Sequence, residues 1–152
     1  MFWYEIAFRI LLASVVGMAI GIQRELSGHP AGIKTHAMVC IGAAVISLIQ
    51  LQMFAENPDI DPTRIIAQVV SGIGFIGAGC ILRNDRNDKI SGLTTASTLW
   101  VVGCLGIAVG LGYYRICLAA FTAVMIILIV VSLLRRRKKL PPHPREEDQE
   151  EA

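Results

Sequence analysis

The sequence predicts an all-α protein: a polytopic transmembrane helical bundle of about five spans, with the N-terminus outside and the C-terminus cytoplasmic. Three observations support this fold class. Of the 152 residues, 54% are hydrophobic and 17% are charged, whereas a soluble domain carries about 25% charged residues. The charges are separated by uncharged runs about long enough to cross a hydrocarbon core of roughly 30 Å as helices. Lys and Arg are also divided very unevenly among the connecting segments.

The first span is the least regular of the five. Its uncharged part, Ile10 to Ile22, has only 13 residues, so a full crossing must include Arg9 and begin near Trp3, an aromatic residue suited to the membrane interface. Glu5 precedes Arg9, and no A-x-A cleavage motif follows the apolar run. We therefore expect the N-terminus to be retained and not removed as a signal peptide.

The other four spans are predicted from uncharged runs, except that one contains His36. A soluble bundle would need a polar face on most of its helices, and the last run has none. The four runs are Thr35–Ala55, Ile65–Leu82, Ile90–Tyr114 and Ile116–Leu134. Residues 1–134 thus form one membrane domain. Residues 135–152 form a tail that is first basic, and so suited to an anionic inner leaflet, and then Pro-rich, acidic and predicted to be disordered.

The positive charges orient the spans. With the C-terminus inside, eleven Lys and Arg residues lie in the inner segments and three, Arg9, Arg64 and Arg115, lie outside or near it. Cytoplasmic segments carry an excess of Lys and Arg, so the N-terminus is predicted to be outside. We expect the protein in a bacterial inner membrane, crossing it several times.

The third span, from Asp61 to Arg83, has two different faces. Asp61 and Pro62 are typical of a helix start. At 100° per residue, one face is polar or small and comprises Arg64, Gln68, Ser71, Phe75 and Gly79. The opposite face is apolar and comprises Ile66, Val69, Val70, Ile73, Cys80 and Ile81. Polar side chains at membrane depth normally turn toward other helices or a cavity, so we expect the apolar face to contact lipid.

The glycines of this span match the sequence pattern of a dinucleotide-binding motif, Gly72-x-Gly74-x-x-Gly77. That motif needs a cytoplasmic turn between a strand and a helix, so close helix packing is the better interpretation of these residues. The segments Gly17-x-x-x-Gly21 and Gly106-x-x-x-Gly110 are candidates for the facing surfaces. A tightly packed bundle and a homodimer both fit this pattern.

Polar residues also gather at the predicted inner rim. They end the first span and open the second and fourth, and they are Arg24, Glu25, Lys34, Thr35, His36, Thr94 and Thr95. One interpretation is ordinary capping and snorkelling. The other is a polar inner vestibule in which Arg24 or Lys34 neutralises Glu25.

The sequence predicts no catalytic residues, no cofactor and no complete metal site. Asp61, with Glu56 and Asp59, makes an outer acidic patch that could attract hydrated Mg²⁺, although a solvated acidic loop is the better explanation. Asp61 and Glu25 are the only candidates for a Mg²⁺ interaction. The four cysteines show no CxxC spacing and fit small packing residues, the histidines are scattered, and Asn84–Asp88 fits a polar turn.

Four ordered stretches resemble the N-terminal membrane domain of the MgtC/SapB family. They are Gly21-Ile-Gln-Arg24-Glu25, Ala31-Gly-Ile-Lys34-Thr35-His36, Asp61-Pro-Thr-Arg64-Ile continuing into Gln68 to Gly79, and Gly92-Leu-Thr94-Thr95-Ala96 with Trp100. The resemblance covers most of the chain up to about residue 134. It implies an inner-membrane protein linked to magnesium homeostasis and to adaptation to low magnesium or acid. Longer members carry a soluble C-terminal domain, in place of which this sequence has a short tail.

Two hypotheses follow. The leading one is a non-enzymatic membrane protein that acts by contacts with other membrane proteins, among which the resemblance implies the ATP synthase, through a surface along the third span. The alternative is a small cation transporter or channel for Mg²⁺, with Asp61 and Glu25 at its two mouths. The expected partners are the lipid bilayer, a second copy or other membrane proteins, and no nucleic acid.

Overall fold

The computed structural model describes residues 2–59, 61, 63–84 and 89–137. In chain order its elements are helices α1 (Trp3–Leu26), α2 (Ile33–Glu56) and α3 (Thr63–Gly79), strands β1 (Leu82–Asn84) and β2 (Lys89–Ser91), and helices α4 (Leu93–Leu111) and α5 (Tyr114–Arg137). The all-α class is confirmed. Four helices, α1, α2, α4 and α5, are long and apolar enough to cross a membrane. Helix α3, with 17 residues, is about 25 Å long and therefore shorter than the hydrocarbon core.

Helix α2 lies at the centre of the bundle because glycines on both neighbours let the backbones approach closely. A Cβ atom at Gly17 of α1 would lie 2.7 Å from the carbonyl oxygen of His36 in α2. On the other side, a Cβ atom at Gly110 of α4 would lie 2.6 Å from the carbonyl oxygen of Ala44. The glycine pairs of α1 and α4 thus face α2, whereas we expected them to face the third span.

The core is formed where α1, α2 and α4 meet. Its fully buried members include Ala13, Ile20, Cys40, Ala44, Val102 and Val109. Helix α5 covers one side through half-buried side chains such as Phe121 and Val124, and most of its remaining surface is apolar and exposed. A tight turn joins α4 to α5: Gly112, with φ of +84°, ends α4 in the left-handed conformation that glycine adopts most readily.

The connection between α3 and α4 contains a two-stranded hairpin that we did not predict. Three residues on each side pair as antiparallel strands, with Arg83 opposite Ile90. Gly92, with φ of +81°, leads into α4, and a Cβ atom there would overlap the carbonyl oxygen of Cys80. The centre of the predicted turn, residues 85–88, lies outside the described residues, as do Pro62 and residues 138–152 of the predicted tail. The first tail residues, 135–137, continue α5.

Candidate functional site

Four polar side chains from three helices are buried together at one end of the bundle. This end, called the inner end here, holds the C-terminus of α1 and the N-termini of α2 and α4. Arg24 is 2% exposed, His36 0%, Thr95 3% and Thr98 5%. We call these four residues the buried polar cluster. Burial of so many polar groups is costly unless they bind one another.

Hydrogen bonds connect the members of this cluster across the helix interfaces. The Arg24 guanidinium (Nη2) donates to the Thr95 hydroxyl over 3.4 Å. The Thr98 hydroxyl oxygen lies 2.9 Å from the Thr95 carbonyl oxygen and 3.2 Å from His36 Nε2. His36 Nδ1 lies 2.9 Å from the carbonyl oxygen of Gly32. A carbonyl can only accept, so Nδ1 carries a proton. The Thr98 hydroxyl donates its one proton to the Thr95 carbonyl, and its oxygen also contacts Nε2 of His36.

The glycines of α1 place Arg24 in this position. Gly17, Gly21 and Arg24 are spaced by three or four residues and share one face of the helix. A Cβ atom at Gly21 would lie 2.6 Å from the α-carbon of Ile33 at the start of α2. The backbones are therefore in contact just before Arg24, and its long side chain extends past the start of α2 toward α4.

The other predicted residues of the inner rim lie outside the cluster. Lys34, Thr35 and Thr94 are exposed. The exposed Glu25 carboxylate (Oε2) accepts the backbone N–H of Ile33 over 3.0 Å, so it caps the start of α2. The structure thus joins Arg24 with Thr95 and gives Glu25 a capping contact.

Helix α3 has the two faces that the sequence predicts, but their orientation was predicted wrongly. Ile73 is buried, and Ile66, Val69 and Val70 pack beside it against α2 and α4. The face that we expected to turn inward is exposed, and it comprises Arg64, Gln68, Ser71, Phe75 and Gly79. The apolar face therefore contacts protein, and the polar face points away from the bundle.

The glycines of α3 likewise do not all serve packing within the chain. Gly77 contacts Ala96 of α4, where an added Cβ atom would lie 3.4 Å from a carbonyl oxygen. At Gly72, Gly74 and Gly79 an added Cβ atom would meet nothing within 4 Å. Close approach between α3 and α4 depends instead on Gly103, which receives the side chain of Ile73.

Asp61 stands at the start of α3, as predicted. Its carboxylate (Oδ1) accepts the backbone N–H of Thr63 over 2.9 Å and the Thr63 hydroxyl over 2.7 Å. These two hydrogen bonds, with a smaller contribution from the positive charge of Arg64, hold the pKa of Asp61 below its usual value. Glu56, Asp59 and Asp61 are all exposed. Within the described residues no group of three or more His, Cys, Asp or Glu side chains is placed to hold a metal ion.

The opposite, outer end of the bundle has a polar contact that the sequence did not indicate. Arg9 of α1 donates through Nη1 to the carbonyl oxygen of Gly110 near the end of α4, over 2.7 Å. Its guanidinium also lies 6.0 Å from the centre of the Tyr114 ring. A cation at a helix C-terminus is favourable because it complements the helix dipole. Arg9 therefore connects α1, α4 and the start of α5.

Two members of the buried polar cluster were missed as a pair by sequence reasoning. His36 was interpreted as part of a helix start, and Thr98 was not singled out. The signal available was the repetition of hydroxyl residues at positions 94, 95 and 98 on α4. That pattern could not show that one of these hydroxyls meets a histidine 62 residues away.

Comparison with known proteins identifies the family of this chain. Residues 10–137 match the MgtC family. The chain is 38% identical over 132 residues to protein SapB of Bacillus subtilis, covering 82% of this chain and 56% of SapB. It is 41% identical over 117 residues to a protein of Escherichia coli K12 named putative magnesium transporter YhiD. This alignment covers 74% of this chain and 54% of YhiD. It is 42% identical over 125 residues to protein MgtC of Salmonella typhimurium 14028s, and this alignment covers 82% of this chain and 52% of MgtC.

The chain spans about half the length of these relatives. No solved structure matches it. The family match extends from residue 10, within α1, to the end of α5 at residue 137. It includes Arg24, His36, Thr95, Thr98 and all of α3. The chain belongs to the MgtC family.

Proposed function

We propose that this protein is a multi-pass protein of the bacterial inner membrane that serves magnesium homeostasis or adaptation to low magnesium or acid. It acts without catalysis, by contacts with other proteins in the membrane, and the ATP synthase is the partner class that the family resemblance suggests. Membership of the MgtC family and the name of the Escherichia coli relative support the link to magnesium.

The observation that carries the contact role is the outward polar face of α3. Gln68 lies five residues beyond the first residue of α3, which is about 7.5 Å along the helix axis. An exposed amide at this depth is unfavourable in hydrocarbon, because lipid chains offer no hydrogen bonds. A protein surface that supplies these bonds would remove this cost, so the face is suited to contact another membrane protein.

The buried polar cluster also favours a role in contacts with other proteins over a role in Mg²⁺ transport. Its members are at most 5% exposed, and the charged one is the cation Arg24. A pathway for a divalent cation needs oxygen ligands, and a buried positive charge repels such an ion. The cluster is thus suited to holding three helices in register and poorly suited to passing Mg²⁺.

A small Mg²⁺ transporter is the second candidate, and the state of Asp61 favours it. The Asp61 carboxylate is exposed and ionised at neutral pH, and the hydrogen bonds from Thr63 hold its pKa below its usual value. An ionised carboxylate on the outer loop can attract a hydrated Mg²⁺ ion. Glu25 would be the corresponding carboxylate at the inner end.

Flux measurements separate the two candidates. The purified protein is reconstituted into sealed liposomes that contain a Mg²⁺-sensitive dye, and a large Mg²⁺ gradient is applied. We expect the vesicles to remain as tight as protein-free vesicles. Flux that is lost in Asp61→Asn but kept in Glu56→Gln, an exposed acid nearby, would overturn the contact role and establish transport.

A cellular test addresses the contact role itself. A strain lacking this protein is grown at limiting Mg²⁺ and complemented with the wild type or with Gln68→Leu, which removes the exposed amide without touching the core. We expect Gln68→Leu to reach wild-type abundance and to complement poorly. Full complementation by this variant would contradict a role for the α3 face.

A further inference from the structure

The exposed face of α3 carries a repeat that the monomer does not use. Gln68, Gly72, Phe75 and Gly79 follow one another at spacings of four, three and four residues. This is the spacing of the core positions in a left-handed pair of helices. We call these four residues the α3 stripe. All four are exposed, and the phenyl ring of Phe75 is 82% exposed.

The stripe alternates side chains with open space. Gly72 and Gly79 have nothing within 4 Å of an added Cβ atom, so a second backbone can approach there. Gln68 and Phe75 project between them. Small residues that admit a close neighbour, next to a polar side chain that can bond across the interface, are the usual components of helix association in membranes.

We propose that the α3 stripe is the interface of a homodimer, in which the α3 helices of two copies pack in parallel about a twofold axis. The inference rests on the proposed function, which assigns this face to protein contacts, and it names a second copy as the partner. In such an interface the same patch meets itself, so the patch must be self-complementary.

The chemistry of the face meets this condition. The Gln68 amide has both donors and an acceptor, so two copies can bond to each other at the same level. At the outer end of α3 the exposed Asp61 and Arg64 have opposite charges, and in a twofold pair the acid of one copy can approach the base of the other. Phe75 can pack against its own copy, and the two glycines leave room for it.

The parallel arrangement follows from the charge distribution. The Lys and Arg bias toward one side directs every copy to insert with the same orientation. Two α3 helices in one membrane then run in the same direction, which brings Gln68 to Gln68. A partner of a different kind would need its own complement to the stripe, and the self-matching amide and charges favour a second copy.

Photo-crosslinking identifies what covers the stripe. Phe75→benzoylphenylalanine is compared in intact cells with Phe8→benzoylphenylalanine, which replaces an exposed phenylalanine of α1. We expect the probe at position 75 to yield a covalent dimer of this chain and the probe at position 8 to yield none. Two differently tagged copies in one cell confirm that the product contains two copies.

Matched glycine variants test the geometry. Gly72→Leu fills the stripe, whereas Gly42→Leu adds the same side chain on the exposed side of α2, where an added Cβ atom also meets nothing within 4 Å. Both variants leave the monomer core unchanged. In lipid bilayers we expect Gly72→Leu to weaken dimerisation by at least about tenfold and Gly42→Leu to leave it near the wild-type value.

The outcomes separate this inference from the proposed function. Covalent capture of only a different membrane protein at position 75 would overturn the homodimer and leave the contact role standing. Capture of no protein, with equal monomer fractions for Gly72→Leu and Gly42→Leu, would overturn both. A dimer that forms equally well in Gly72→Leu would show that the interface lies elsewhere.

Discussion

The Nε2 atom of His36 lies 3.2 Å from the hydroxyl oxygen of Thr98, across the interface between α2 and α4. Both side chains are buried. The other ring nitrogen of His36 bonds to the carbonyl oxygen of Gly32, so the ring is held at both ends. This contact joins the start of α2 to the first turns of α4 and sets the rotation of one helix against the other.

Replacement of the Thr98 hydroxyl should therefore destabilise the bundle. Thr98→Val keeps the shape of the side chain and removes the hydroxyl that bonds to the Thr95 carbonyl and contacts Nε2 of His36. An unsatisfied buried group costs about 1–3 kcal/mol. Thr98→Ser retains the hydroxyl and should lose less. Thermal unfolding in detergent measures the difference. Equal midpoints for the two variants would show that the hydroxyl is not needed.

Gly17 should tolerate no side chain. A Cβ atom there would lie 2.7 Å from the carbonyl oxygen of His36 and 2.8 Å from the α-carbon of Ala37. Gly17→Ala must separate α1 from α2, and overpacking of this kind costs about 1–3 kcal/mol. At Gly42 there is open space, so Gly42→Ala should be neutral or slightly stabilising, because alanine favours helix. Unfolding curves of the two variants provide the comparison, and a loss in both would refute the explanation.

Arg9 should hold the outer end of α4. Arg9→Met preserves the length of the side chain and removes the charged bond to Gly110, a bond of a kind worth about 1.5–3 kcal/mol. We expect faster hydrogen exchange of the amides around Gly112 and Tyr113. Arg115→Gln serves as the control, because Arg115 lies nearby and is exposed. Unchanged exchange in Arg9→Met would mean that Gly112 alone fixes this turn.

Asp61 should titrate at lower pH than an ordinary aspartate. The Thr63 N–H and hydroxyl bind its ionised form and hold its pKa down. The resulting stabilisation is present at neutral pH, above the pKa of the unfolded chain, and is lost as the pH falls through the lower pKa of the folded protein. Thr63→Ala removes one of the two bonds.

Carbon NMR of the labelled carboxyl group checks this prediction. The pKa of Asp61 should rise only part of the way to its usual value in Thr63→Ala, because the backbone N–H remains. A complete return to the usual value would assign the whole effect to the hydroxyl.

The sequence was sufficient to predict the helices and their order. Uncharged runs and their flanking charges showed where α1, α2, α4 and α5 lie, because length and hydropathy are local properties. The helix start at Asp61 followed from local chemistry in the same way. The β1–β2 hairpin was missed, since its three-residue strands are too short to show alternation.

The orientation of α3 could not be obtained in this way. The periodicity separated its two faces correctly, and the general preference for inward polar groups then assigned them to the wrong sides. The structure shows the reason: Ile73 fits the space left by Gly103, so the apolar face has a shaped partner within the chain. That fit depends on two residues in different helices, as does the pairing of His36 with Thr98.

The separation of His36 from Thr98 along the chain has a consequence for biosynthesis. A ribosome makes His36 62 residues before Thr98, so α1 and α2 can pair through Gly17 and Gly21 before the hydroxyl that contacts the imidazole has been made. The hydrogen bond from Arg24 to Thr95 likewise forms only after Thr95 has been made. The contacts that join the first two helices to the fourth at this end of the bundle therefore form only once α4 has been made, so the register of the three helices is set late in synthesis.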